Sequence, residues 1–177
     1  MRARFLVTDK TMRLKDEEDS IENVSPIVLY APEEYSSNVN LPMLCKCGED
    51  GIIRASNLYV MIIFPTSWGV YINTTYLNLC NGSAKFDRIY ACPYEDIESI
   101  TYKKREYNVV SQGGKEFVKR AKSFLIQSNV GDTSEVGLDI VDYDMVEQLG
   151  GRFDESAAKN AVTVLTARAG LQLPSEE

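Results

Sequence analysis

The chain has 177 residues, a formal net charge of −7 and no histidine. With 44% hydrophobic and 25% charged residues it is typical of a folded protein with one core, and its negative charge disfavours a general affinity for nucleic acid or anionic membranes. The absence of histidine excludes Ser-His-Asp and Cys-His catalysis, together with every zinc site that needs histidine.

The apolar runs of this sequence are short. Only three consecutive apolar residues stand near the N-terminus, and the longest run covers residues 58–64. A membrane-spanning helix needs about 20 such residues. The sequence therefore predicts no transmembrane segment and no secretory signal, so we expect a cytoplasmic protein with its four cysteines present as thiols.

The first 50 residues predict short elements and loops. Residues 4–15 favour a small hairpin, residues 26–30 a strand, and residues 31–35 a helical turn that opens with a proline. Turn-forming residues are frequent over 36–50, so a domain boundary is expected in this stretch. Residues 1–50 are thus predicted to be N-terminal strands or an extension, either separate or part of the same domain.

The centre of the sequence is rich in β-branched and aromatic residues. The run at 58–64 is suited to a strand buried on both faces. Asn81-Gly82 predicts a tight type I′ hairpin turn. Further strands are predicted at 68–73, 75–80, 85–91, 97–102, 124–127 and 136–141.

The C-terminal region predicts two helices. Residues 142–149 form a short helix that ends at Gly150-Gly151. Asp154 is a suitable N-cap for a helix over 155–169 that ends at Gly170. Within that helix an apolar stripe is expected from Ala158, Ala161, Val162, Leu165 and Ala169.

Two segments carry motifs, and both lie before this C-terminal helix. One is Gly69-Val70-Tyr71-Ile72, and the other is Pro93-Tyr94-Glu95-Asp96-Ile97-Glu98-Ser99-Ile100. With them the chain resembles, over roughly residues 58–170, the bacterial pleckstrin-homology-like (PH/GRAM-like) domain family. It departs from that family where Asn73-Thr74-Thr75-Tyr76 replaces a Thr-x-x-Arg segment, and residues 1–50 have no counterpart.

The resemblance implies an α+β fold that is mainly antiparallel β. It implies a partly open, PH-like barrel or sandwich over residues 51–172 that is closed by the C-terminal α-helix, with residues 173–177 as a tail. It also implies a binding module for a lipid, a peptide or a protein, without a cofactor. Because one fold serves many functions, the function must be argued from the site.

Seven of the nineteen basic residues stand between positions 103 and 122. Gly113-Gly114 predicts either the tip of a long hairpin or the start of a short helix over 115–121. Such a segment can attract a phosphoinositide head group, an acidic partner or a nucleic-acid backbone. The residues predicted to contact a partner are Lys103, Lys104, Arg105, Lys115, Lys119, Arg120 and Lys122, together with Tyr94.

Two other groups of residues suggest chemistry. The carboxylates of Asp139, Asp142 and Asp144 are close enough in sequence to serve an acid–base reaction or a cation, although helix capping explains the last two more simply. Four cysteines, Cys45, Cys47, Cys80 and Cys92, have irregular spacing for zinc, which favours buried thiols over a metal or a redox pair.

Taken together, the sequence predicts a non-enzymatic binding module that contacts a protein partner or its own copies, with no metal and no cofactor. The first alternative is attachment to an anionic membrane or a phosphoinositide through residues 103–122. The second is a small enzyme that uses the carboxylates or a cysteine. Nucleic acid is the least favoured partner.

Overall fold

Antiparallel sheets make up most of the described structure. The computed structural model describes residues 25–33, 43–110, 114, 116–129 and 135–174. Within these ranges the strands are β1 (Ile27–Pro32), β2 (Cys45–Cys47), β3 (Ile53–Ala55), β4 (Asn57–Pro65), β5 (Gly69–Asn78), β6 (Ser83–Pro93), β7 (Ile97–Val110), β8 (Glu116–Ser128) and β9 (Glu135–Asp142). The helices are α1 (Tyr143–Leu149) and α2 (Ser156–Arg168). The predicted α+β class, mainly antiparallel β, is confirmed.

The strands form a four-stranded sheet, a three-stranded sheet and a small hairpin. The four-stranded sheet has the order β1-β4-β5-β6, the three-stranded sheet has the order β7-β8-β9, and β2 pairs with β3. Strand β9 packs beside β1, so the two sheets meet along these strands. Residues 60–63 of the apolar run in β4 are buried, so both faces of the strand are covered there, and residues 27–30 of the strand predicted at 26–30 lie in β1.

Two details of the β5–β6 hairpin differ from the prediction. The strands predicted at 68–73 and 75–80 are one continuous strand, β5, in which a register shift between Thr74 and Thr75 takes up the irregularity. The last β5–β6 pair joins Asn78 to Ser83, so four residues replace the predicted two-residue turn. The side chain of Asn78 stabilises this longer loop because its Oδ1 accepts the N–H of Cys80 at 2.9 Å.

Other predicted elements also differ from the observed ones. The helical turn predicted at 31–35 is wrong at its start, where Ala31 and Pro32 end β1, and its remaining residues fall mostly outside the described part. The hairpin predicted at 4–15 lies wholly outside the described residues. Strand β6 ends at Pro93, and a 3₁₀ turn, Tyr94–Asp96, separates it from β7.

Strand β9 contains a bulge that decides which side chains reach the core. Ser123 pairs with Asp139, but Lys122 pairs with Val141, so Ile140 is the extra residue. A bulge places two successive residues opposite one partner. Ile140 and Val141 are both buried in the core as a result, whereas strict alternation would expose one of them.

Both predicted helices are present, although the N-cap of α2 is Glu155 and not the predicted Asp154. Asp142 caps α1 by accepting the N–H of Met145 at 3.0 Å, and Gly150 ends it with a φ of 67°. Helix α2 packs against β7 and β1. It contributes buried residues to the main core, as its apolar stripe predicts, at Ala158, Ala161, Val162 and Leu165. None of the helices in the described ranges is long and apolar enough to cross a bilayer.

The packing of α2 gives a stability test. Leu165 is completely buried in the core, so Leu165→Ala should lower the free energy of unfolding by about 2–5 kcal/mol, from lost apolar burial and the cavity left behind. Leu79→Ala is the matched control, because Leu79 is 61% exposed in the loop between β5 and β6. Urea unfolding of both variants measures the difference, and equal losses would contradict this account of the helix.

Candidate functional site

The β7–β8 hairpin extends beyond the rest of its sheet. Strand β9 pairs with β8 only from Ala121 onward, so in the described residues 106–110 and 116–120 pair with each other alone. We call these two segments the arm. Its existence confirms the hairpin interpretation of residues 103–122 and excludes the short helix predicted as the alternative at 115–121, since β8 begins at Glu116.

The arm carries exposed apolar side chains. Val110 is 61% exposed, Val118 is 53% exposed and Phe117 is 44% exposed. In the β7–β8 register Val110 and Val118 lie on one face of the arm, and Phe117 lies on the other. Isolated exposed apolar residues are normal on a protein surface, but an exposed pair on one face of an extended hairpin is a candidate interaction site. The basic composition of residues 103–122 predicts a charged surface there and gives no signal for the exposure of Val110 and Val118.

Most of the predicted cationic residues are paired inside the molecule. The shortest N···O distances are 2.7 Å, 3.1 Å, 2.5 Å and 2.8 Å for the pairs Arg105–Glu135, Lys119–Asp139, Arg120–Asp144 and Lys122–Glu155. Arg120 also reaches Glu147 at 2.9 Å. We call this set the β7–β8 ion pairs. They join the hairpin to β9, to α1 and to the residue that precedes α2.

Asp139 is the centre of the most buried of these interactions. It accepts hydrogen bonds from Ser123, at 2.6 Å, and from Tyr107, while its ion pair with Lys119 leaves both side chains only about one-fifth exposed. Burial acts to raise the pKa of Asp139, but these hydrogen bonds and the lysine charge outweigh it and hold the pKa below its usual value. Burial and the nearby carboxylate raise the pKa of Tyr107 to about 12.

A second cluster lies at the start of α2. The Nζ of Lys122 stands 4.5 Å from the ring centroid of Tyr102 while it pairs with Glu155. Burial acts to raise the pKa of Glu155, but Lys122 and Tyr102 lower it overall. Burial and the Glu155 carboxylate raise the pKa of Tyr102. The lysine is therefore held between an aromatic ring and a carboxylate.

The structure does not bring all predicted contact residues together. Lys103 and Lys104 are exposed on β7, with Lys104 5.8 Å from the ring centroid of Tyr143, and Lys115 lies outside the described residues. Tyr94 precedes β7, packs against the core near Arg168, and stands at the opposite end of this 14-residue strand from the arm. At about 3.3 Å per residue, the two ends of β7 are roughly 40 Å apart.

The residues considered for catalysis have structural partners. Asp139 is enclosed by Ser123, Tyr107 and Lys119, Asp142 caps α1, and Asp144 pairs with Arg120. Burial raises the pKa of the Cys45 thiol, so the reactive thiolate is disfavoured there. No three cysteine, aspartate or glutamate side chains in the described ranges are placed to hold a metal ion together.

Comparisons with known proteins add no family to this picture. No protein-family model, no curated protein and no solved structure matches the chain. The function therefore has to be argued from the arm, the ion pairs and the surfaces around them.

The Asp139 interactions give a stability and pH test. Asp139→Asn leaves the Lys119 charge without its counter-ion in a largely buried position, so we expect a loss of about 2–3 kcal/mol at pH 7. Because the pKa of Asp139 is lowered by folding, its contribution is present above the unfolded-state pKa and is lost as the pH falls through the folded-state value. The difference in the free energy of unfolding between the wild type and the variant should therefore become smaller below about pH 4.

Urea unfolding between pH 3 and pH 7 measures this gap. Asp144→Asn is the matched control, since its ion pair with Arg120 is 40% exposed on both sides and should contribute little. A constant gap across the pH range would show that Asp139 does not act through its charge.

Proposed function

We propose that this chain is a non-enzymatic binding module of PH-like character that binds a second copy of itself through the arm. The strand arrangement supports the PH-like part of the proposal. A four-stranded antiparallel sheet, a three-stranded sheet that packs beside it, and a C-terminal helix against β1 and β7 are the parts that such a fold requires.

The single observation that carries the proposed interaction is the arm itself. Its outer strand edges have no strand partner among the described residues, and exposed apolar side chains lie beside them. Unpaired edges of this kind accept a further strand, and apolar contacts add to the main-chain hydrogen bonds. The arm therefore supplies both of the interactions that strand addition needs.

A second copy is the occupant that fits these edges most directly. Two identical strand edges that pair antiparallel are related by a two-fold axis, so each copy offers the same surface and every contact is made twice. The free edge of β7 also changes along its length. Near the body it carries Lys103 and Lys104, which oppose strand addition, whereas Asn108, Val109 and Val110 near the tip are uncharged. Pairing is thus favoured at the tip.

The ion pairs lower the support for attachment to an anionic membrane. Within the described part of the chain, Lys103 and Lys104 are the predicted contact cations that have no ion pair. The others would have to give up a carboxylate before they could bind a phosphate. The enzyme alternative also loses support, because the carboxylates proposed for it already have hydrogen bonds, an ion pair or a helix-capping role in the structure.

Sedimentation velocity tests the proposed self-association. The wild type should pass from monomer to dimer across the micromolar range, and Val110→Ser combined with Val118→Ser should remain monomeric because the apolar contacts beside the paired β7 edge are lost. Leu79→Ser is the control, because it removes an equally exposed apolar side chain away from the arm and should dimerise normally.

Two results would contradict the proposal. One is a wild-type protein that stays monomeric at every concentration. The other is a double variant that dimerises as well as the wild type does. Circular dichroism of the double variant separates a lost interface from a lost fold.

Vesicle co-sedimentation tests the membrane alternative separately. A lysine near an anionic surface contributes about 1 kcal/mol, and two unpaired lysines are too few for stable attachment. We expect no binding to phosphatidylserine vesicles at physiological salt, and weak binding at most at low salt. Strong, salt-sensitive binding that disappears in Lys103→Glu combined with Lys104→Glu would favour the membrane alternative instead.

A further inference from the structure

A groove separate from the exposed apolar residues of the arm lies where the two sheets meet. Its volume is about 320 Å³, which falls at the lower end of the range of about 300–1,000 Å³ for small-molecule sites. Tyr59 and Tyr76 line it from the four-stranded sheet. The three-stranded sheet lines it with Arg105, Tyr107, Glu135 and Asp139.

The aromatic side of the groove is formed by two cross-strand neighbours. Tyr59 in β4 and Tyr76 in β5 are paired in register, and their ring centroids are 4.6 Å apart with an angle of 39° between the ring planes. Both side chains are half-buried, so part of each ring faces the groove. Aromatic faces of this kind pack against C–H groups of a ligand.

The polar side consists of groups whose charges are already balanced. Arg105 pairs with Glu135 at 2.7 Å with both side chains one-third exposed, and Asp139 pairs with Lys119. A guanidinium has five N–H donors and a carboxylate has four acceptor positions, so the Arg105–Glu135 pair keeps hydrogen-bonding capacity beyond its own ion pair. Gly137 stands between Glu135 and Asp139, where Leu125 leans over it and a Cβ atom would come within 2.4 Å of that side chain.

The charges of the groove select against ionic ligands. A phosphate or carboxylate would face Glu33, Glu135 and Asp139, with Arg105 as the lining cation. A cation would find Glu135 and Asp139 already paired, and the guanidinium of Arg105 lies 5.7 Å from the centroid of the Tyr107 ring, where a cation–π contact would form. An apolar ligand would remove water from these ion pairs without replacing its hydrogen bonds.

We propose that this groove binds a neutral, hydroxyl-rich molecule, namely a saccharide of one or two rings. Its hydroxyl groups donate to the carboxylate of Glu135 and accept from the N–H groups of Arg105. The C–H face of its ring packs on Tyr76 and Tyr59. The proposal goes beyond the binding of a second copy, since the groove residues differ from the exposed apolar residues of the arm.

Saturation-transfer difference NMR tests this proposal with glucose, galactose, mannose, N-acetylglucosamine, maltose, lactose and cellobiose as probes at millimolar concentration. At least one sugar should show transfer to its ring C–H protons. Tyr76→Ala should weaken the binding of that sugar by about tenfold or more, which corresponds to a loss of about 1.4 kcal/mol or more of binding free energy. Arg105→Met is a second variant that changes the polar side and should also lose binding.

Tyr30→Ala is the matched control, because Tyr30 is an exposed tyrosine on the opposite face of the same sheet and should bind as the wild type does. Thermal melts establish that each variant is folded. Absence of transfer to every sugar would overturn the proposal, as would unchanged binding by both groove variants. Transfer to choline or to other charged probes that depends on Tyr76, without transfer to the sugars, would also overturn it.

Discussion

Ion pairs connect strand β8 to three other parts of the molecule, and the position of the arm depends on them. Lys119, Arg120 and Lys122 pair with carboxylates of β9, of α1 and of the residue before α2, respectively. Exposed ion pairs contribute little to stability individually, but the Lys119–Asp139 pair is largely buried. Because Lys119 and Arg120 belong to the arm and their partners lie on β9 and α1, these two pairs connect the base of the arm to two different elements.

The same pairs change the meaning of two features of the sequence. The basic segment at 103–122 suggests an anion site, and the nearby carboxylates suggest a catalytic or cation site. In the folded chain most members of these two groups neutralise one another, so each group presents a weaker field than its own composition implies. The arm exposes apolar side chains among polar ones, and the groove contains hydrogen-bonding groups with balanced charge.

The sequence predicts the elements of this fold better than their contacts. Alternation and apolar runs locate most of the described strands, and Asp142, Gly150 and the stripe at Ala158, Ala161, Val162 and Leu165 locate the helices, because these signals are local. The partners of the cations depend on the register of β8 against β9, which includes the bulge at Ile140 and has no local signal. The groove is equally hidden, since Tyr76 and Asp139 come from different sheets and are more than sixty residues apart.

The bulge has a further consequence for any redesign of this chain. Because Ile140 is the extra residue, its deletion would remove the bulge, and β9 would then place one side chain and not two in the core between Asp139 and Asp142. Substitutions of Ile140 or Val141 that preserve size and polarity would keep both side chains in the core. The spacing between Asp139 and Asp142 is therefore a stricter requirement on an engineer than the chemical identity of the two residues between them.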